Sequence, residues 1–330
     1  MLKTERAIAR IKDFFTKELS KELNLVNVSS PLVVLDGTGI NDDLNGVERP
    51  VSFPVKSLND KKAVVVHSLA KWKRLRLKEL QVEQYEGILT DMRALRPDED
   101  YTSIHSIYVD QWDWEKHIDS SDRNMEYLTS TVNKIYEVFK STEKEAQKID
   151  PEMEPVLPND ITFIHSEELL KRYPSMSVKE RENAIAKEYG AVFIIGIGGK
   201  LSNGEPHDGR APDYDDWSTM NGSGLQGLNG DIVLWNPVLQ SAFEVSSMGI
   251  RVDKETLLKQ LKERGVEDRA KLSFHSMLLS GSLPQSIGGG IGQSRVCMFM
   301  LKKSHIGEVQ VSIWPEEERQ RLVSEGVKLL

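Results

Sequence analysis

Apolar residues at Ile8, Ile11, Phe14, Phe15, Leu19 and Leu23 recur at helical spacing and predict an amphipathic helix to about residue 23. Residues 25–35 alternate loosely around Pro31, whose missing backbone donor predicts an edge or interface strand. Residues 36–46 hold three glycines, two asparagines and three aspartates and predict a loop. β-Branched runs at 63–67 and 104–109 predict strands, the second after the polar turn at 96–100. Leu128, Val132, Ile135 and Phe139 mark a second amphipathic helix, followed by a linker with prolines at 151, 155 and 158. Ser177 and Glu180 form a capping box that opens a helix to about residue 189, where Gly190 ends it. A buried strand is predicted at 191–197, a glycine-rich polar stretch at 198–230, and a strand pair at 232–235 and 242–245. A helix at 254–263, a glycine-rich turn at 288–292 and an apolar helix at 296–301 complete the pattern. The candidate motifs lie on both sides of the 151–158 linker, so residues 1–330 are expected to form a single catalytic domain.

Composition narrows the class. The 28% charged and 39% hydrophobic residues are ordinary for a globular protein. A net charge of −8 argues against a nucleic-acid partner. The lone Cys297 excludes an internal disulfide and fits a reducing, cytoplasmic compartment. No apolar run is long enough to span a bilayer and no signal peptide is evident, so no membrane role is expected. Gly196-Ile197-Gly198-Gly199 follows a strand, but Leu201 breaks the dinucleotide fingerprint and Ile194 breaks the phosphate loop. There is no paired-cysteine or His-Glu-x-x-His zinc motif and no Gly-x-Ser-x-Gly elbow.

Four dense polar stretches remain: 67–74, 96–100, 243–251 and 288–295. An arginine at a turn between strands can clamp a phosphate bidentately. A glutamate with a serine three residues on supplies hard oxygen ligands for magnesium. Glycines ahead of an arginine let backbone approach a ligand that the guanidinium pairs with or stacks on.

In order, these stretches resemble the three signature motifs of the class II aminoacyl-tRNA synthetase core. The first helix with the Pro31 strand resembles the first motif, a dimer interface. Arg96 and its acidic turn resemble the second, and Gly290-Ile291-Gly292-Gln293-Ser294-Arg295 the third, with Gln293-Ser294 in place of the usual hydrophobic–acidic pair. The strings HSLAKWKR (67–74), ALRPDED (94–100), YVDQWDWE (108–115), RAPDYDDWST (210–219), FEVSSMGIRV (243–252) and IGGGIGQSR (287–295) are more specific still. They resemble the ammonia-dependent aspartate–ammonia ligases, over nearly the whole chain.

The resemblance implies an α+β fold, with a mixed, mostly antiparallel sheet flanked by helices, assembled as a homodimer. It implies a ligase that joins L-aspartate, ATP and ammonia into asparagine, AMP and pyrophosphate through a β-aspartyl adenylate, with Mg2+ accompanying ATP. Arg96 is expected on the α-phosphate, and Arg295, with Gly290 and Gly292, on the nucleotide. Glu244 and Ser247 are expected magnesium ligands, with Asp231 either a third ligand or a turn residue. Ser68 and Lys73 are expected to anchor aspartate, with Gln111, Asp113, Ser246 and Arg251 facing it. The acidic run Asp213, Asp215 and Asp216 is read either as the α-ammonium site or as a solvated face. Asp42 is read either as the base that takes a proton from ammonium or as a turn cap. His67, Trp72, Trp112, Trp114 and Cys297 are expected to pack. Leu2 stands where glutamine-using synthetases carry a cysteine, so free ammonia is the expected nitrogen source. Two further readings are an aspartyl- or asparaginyl-tRNA synthetase relative, disfavoured because no anticodon module is evident, and a catalytically inactive paralogue.

Overall fold

The computed structural model describes residues 1–42, 44 and 48–330. Eleven strands are described: β1 (Leu25–Asn27), β2 (Val33–Leu35), β3 (Ser52–Val55), β4 (Lys61–Val65), β5 (Gly87–Leu95), β6 (Tyr108–His117), β7 (Thr162–His165), β8 (Ala191–Ile195), β9 (Asn229–Asn236), β10 (Ser241–Ile250) and β11 (Ser286–Gly292). The helices are α1 (Leu2–Leu23), α2 (Ala70–Glu79), α3 (Met125–Ile149), α4 (Ser166–Arg172), α5 (Val178–Tyr189), α6 (Lys254–Glu263), α7 (Ser273–Leu279), α8 (Gln293–Met300) and α9 (Glu316–Ser324). The main sheet runs β1-β5-β6-β11-β10-β9-β8-β7. Its six inner strands are antiparallel, and a parallel strand closes each edge. A separate sheet orders β2-β4-β3. This is the expected α+β class.

One face of the main sheet is covered by α1, α3 and α8. The α1 stripe Ile8, Ile11, Phe15, Leu19 and Leu23 is buried against Trp112, Trp114 and the α3 stripe Val132, Ile135 and Phe139. Phe15 stacks on Trp112 at 4.1 Å between centroids. Each such side chain stabilises the fold by roughly 1.5–3 kcal/mol. On the opposite face, α4 and α5 cover the β7–β9 end and the start of β10, through Leu169, Ile185, Ile194, Val233 and Ala242. The remaining half of that face, over β6, β11 and β10, is polar; α2 lies across β6 and β11, and a cavity opens beside it.

Several elements differ from the sequence pattern. Residues 25–35 form two strands: β1 joins the main sheet, and β2 joins the small one beyond Pro31. The strand predicted at 104–109 begins at Tyr108, because residues 96–107 form the connection between β5 and β6. The glycine-rich turn at 288–292 is strand β11, hydrogen-bonded on both sides. The polar run 67–74 starts helix α2, which buries Lys71, Lys73 and Arg74 where a helix ordinarily buries apolar residues. The 177–190 and 254–263 helices stand where expected, each with a capping box. The 36–46 loop lies partly outside the described residues.

Candidate active site

A row of residues in register crosses the polar half of the sheet: Thr90, Asp113, Gly290, Ser247 and Asp231. Cross-strand partners share a face, so these positions look toward the same side. Alternation on β6 adds Gln111 and Glu115 to it, opposite Gly292 and Gly288. The glycines are required by space. A Cβ at Gly290 would stand 2.5 Å from Gln111 Oε1, and one at Gly288 would overlap the Glu115 carboxylate. Strand β11 is therefore a bare floor between two charged walls. A register shift between Glu244 and Ser246 does a second job. On a regular strand Glu244 and Ser247 would face opposite ways; the bulge turns both to the side of Asp231.

Above this floor lies a cavity of about 380 Å3. Its lining brings together Asp42, Ser68, Lys73, Arg96, Gln111, Asp113, Asp215, Glu244, Ser246, Ser247, Arg251, Gly290, Gly292 and Arg295, all singled out from the sequence. Asp216 is elsewhere. It lies buried under the wall, paired with Arg123 at 2.5 Å and accepting from the Thr219 amide at 2.9 Å. Asp213 is also buried, taking Lys71 and His275 at 3.0 Å each. Asp231 lies beneath the lining, with Arg210 donating to it at 2.5 Å.

At one end, Lys73 Nζ reaches Asp113 and the Gly289 carbonyl oxygen, the latter at 2.9 Å. Burial, with the charge of Arg251, holds its ammonium below the usual range, although Asp113 opposes this. Arg251 lies between Glu115 and Asp215. Burial works to raise the Glu115 carboxyl, but the charge and hydrogen bonds of Arg251 hold it below the usual range. Ser286 also donates to it at 2.7 Å. Asp42 also lines the cavity. It is buried and accepts from the Leu44 amide at 3.1 Å, and burial raises its carboxyl against the pull of Lys71. Its carbonyl oxygen meets His67 Nδ1 at 3.1 Å.

The other end is cationic. Arg96 donates to the His67 carbonyl oxygen at 3.2 Å, and its buried Nε has no partner among the described residues. Arg295, in the first turn of α8, donates to the Glu244 carbonyl oxygen at 2.9 Å. Arg210 bridges Ser247 Oγ and Asp231. Burial pushes the Asp231 carboxyl up to about 6, with the Glu244 charge adding to it and Arg210 opposing. Ser246 stands in register with Ile232 and Ile291, and its buried Oγ has no partner among the described residues.

Sequence reasoning missed Glu115, Arg210 and His105. Glu115 was signalled by the alternation Gln111, Asp113, Glu115 between the tryptophans Trp112 and Trp114. Arg210 and His105 lie on connections without periodicity. Trp112, Trp114 and Cys297 are buried in the core as expected, and His67 is buried beside the cavity.

The mixed sheet with its flanking helices has the fold of the class II aminoacyl-tRNA synthetases. Asparaginyl-tRNA synthetase from Pyrococcus horikoshii, solved with asparaginyl-adenylate, superposes with a TM-score of 0.69 at 14% identity, over 94% of this chain and 70% of that one. Aspartyl-tRNA synthetase from Entamoeba histolytica gives 0.61 at 16% identity, over 93% and 58%. The sequence relationship is closer. The aspartate–ammonia ligase family profile matches residues 2–326. Aspartate–ammonia ligase of Parabacteroides distasonis is 58% identical over 99% of this chain and 95% of its own. That of Fusobacterium nucleatum is 54% identical over 100% and 98%. The chain belongs to the aspartate–ammonia ligase family, and it is an enzyme of asparagine synthesis. No described helix is long and apolar enough to cross a membrane.

Proposed function

We propose that the enzyme activates the β-carboxylate of L-aspartate with ATP and then transfers the β-aspartyl group to ammonia. The observation that carries this reading is the division of one cavity into two chemically distinct ends. A compact carboxylate and ammonium pocket (Lys73, Asp113, Asp215, Arg251) adjoins a cationic shelf (Arg96, Arg210, Arg295). A carboxylate is a poor acyl donor, and adenylation gives it a leaving group. A carboxylate oxygen attacks the α-phosphorus, and the bond to pyrophosphate breaks. Ammonia then attacks the β-carbonyl carbon, the bond to AMP breaks, and the proton shed by nitrogen passes to a base.

In this reading Arg96 neutralises charge developing on the α-phosphate; the free Nε among its described partners supports the role. Arg295 holds the nucleotide over the backbone of Gly290 and Gly292. Lys73 and Ser68 hold the α-carboxylate of aspartate. Asp215 and Asp113, with Gln111, take its α-ammonium, and Arg251 and Ser246 shape the wall. Asp42 receives the ammonium ion and its proton, a role that a carboxyl raised by burial suits.

Asp231, Glu244 and Ser247 are hard oxygen donors turned to one side, but Arg210 holds Asp231 and Ser247 in this structure, so a divalent cation would have to displace that guanidinium to be bound by all three. Magnesium held there would draw charge from the triphosphate. Because both halves of the chain line the cavity, residues 1–330 act as one catalytic domain. A homodimer is supported by Val26, Leu32, Val33, Leu35, Phe53 and Leu58, all exposed near β1 and the small sheet. A cytoplasmic setting suits the buried, unpaired Cys297.

The test is product analysis with ATP, magnesium and L-aspartate, plus either ammonium or glutamine. Asparagine, AMP and pyrophosphate with ammonium alone support the reading. Formation of ADP, or no product without tRNA, overturns it.

A further inference from the structure

The connection between β5 and β6 carries Arg96 at its start and His105 near its end. Arg295 Nη2 lies 2.8 Å from His105 Nε2. A guanidinium only donates, so Nε2 must accept, and the imidazole must be neutral with its hydrogen on Nδ1. That hydrogen has a receiver: Thr102 Oγ1 lies 2.8 Å from Nδ1 and also accepts from the Ile104 amide at 3.2 Å. The ring is thus fixed in one tautomer by its own connection. Burial and the charge of Arg295 keep the imidazole down at about 3, so the acceptor persists through the neutral range. On its other terminal nitrogen, Arg295 donates to the Glu244 carbonyl oxygen at 2.9 Å. Guanidinium N–H bonds point within the plane of the group, so two acceptors on separate elements orient that plane.

We propose that His105 is a positioning residue for nucleotide binding: as an obligate acceptor, it locks the Arg295 guanidinium in the plane on which the purine lies. The proposal rests on the reading of Arg295 as a nucleotide-binding residue. It also gives one connection two tasks, since the segment that presents Arg96 to the phosphate sets the platform for the base.

The experiment is steady-state kinetics with ammonium, varying ATP and L-aspartate separately, on His105→Ala, His105→Gln, Thr102→Val and Arg295→Ala. His105→Ala is expected to raise KM for ATP about tenfold and to leave KM for aspartate within about twofold. His105→Gln, whose side-chain oxygen can accept from Arg295, is expected to recover most of that loss. Thr102→Val, which frees the tautomer, is expected to give a smaller rise in the same constant. If Arg295→Ala raises KM for ATP but His105→Ala does not, the lock is disproved while the nucleotide reading stands. Equal damage to both substrate constants in the Ala and Gln variants reduces His105 to a structural role and also overturns the lock. An unchanged KM for ATP in Arg295→Ala removes the nucleotide reading itself, and the lock with it.

Discussion

Glu115 grips the Arg251 guanidinium with both carboxylate oxygens, at 3.0 and 3.1 Å from Nε and 2.8 Å from Nη2, while Asp215 takes Nη1. All three side chains are buried. Removing one partner from such a group strands a charge away from water. Glu115→Ala is therefore expected to destabilise the protein by about 3–5 kcal/mol. Glu115→Gln keeps the shape and one acceptor and should cost less. Urea midpoints of the two variants check the order; a Gln variant less stable than the Ala variant would contradict it.

Asp231 makes a pH prediction. Its carboxyl is raised to about 6 from an ordinary 3.8, so the folded state binds the proton more tightly than the unfolded chain. Its contribution is fully favourable below about pH 4 and is lost as pH rises through about 6. Measured as wild type minus Asp231→Asn, folding stability should fall by up to a few kcal/mol over that window. A flat difference between the two proteins would mean that Arg210 already keeps the carboxylate ionised.

Asp42→Asn separates the two half-reactions. It keeps the turn geometry but cannot take a proton. Pyrophosphate exchange dependent on aspartate should survive, while asparagine formation falls by about 10²–10⁴-fold. Loss of exchange together with amide formation would place Asp42 before ammonia enters.

Gly288→Ala tests the bare floor. The added methyl would overlap the Glu115 carboxylate and stand 2.6 Å from Arg251 Nη2. A cost of about 1–3 kcal/mol is expected from overpacking. Displacement of Arg251 should raise KM for aspartate more than KM for ATP. Wild-type kinetics in the Ala variant would show that the strand can yield.

Phe53→Glu and Leu32→Glu place charge on the exposed apolar surface near the small sheet. Light scattering should report the mass of a single chain for the variants and twice that for the parent protein. A parent that is itself monomeric would remove the homodimer.

Legibility tracked the kind of side chain that each element buries. α1, α3 and α6 bury apolar side chains at helical spacing; the limits of α1 and α6 were readable to within a few residues, while for α3 only the apolar stripe at 128–139 was legible and the helix runs on to Ile149. α5 carried its own start signal in Ser177 and Glu180, and its stop in Gly190 at positive φ. α2 was silent because it buries Lys71, Lys73 and Arg74 against Asp213, Asp113 and backbone carbonyls, and hydrophobic periodicity does not register ion pairs. β11 was silent for the opposite reason: glycine there leaves room for neighbouring side chains instead of bending the chain. Charged positions of the cavity such as Lys73, Arg96, Glu244 and Arg295, which lie in the motif strings, were legible through motif resemblance. Arg210 and His105 were not, because each acts through a partner distant in sequence, Asp231 and Arg295 respectively.

The bare strand also restricts how such a cavity can be remodelled. At Gly288 and Gly290 every replacement residue brings at least a Cβ into space that Glu115 or Gln111 already fills. The floor is thus closed to stepwise exploration by mutation, and a ligand resting there meets peptide groups whatever its chemistry. A change of substrate has to be written on the walls, along β6 and β10, or on the connections above them. Engineering libraries should accordingly spend their diversity at those positions and hold the floor constant.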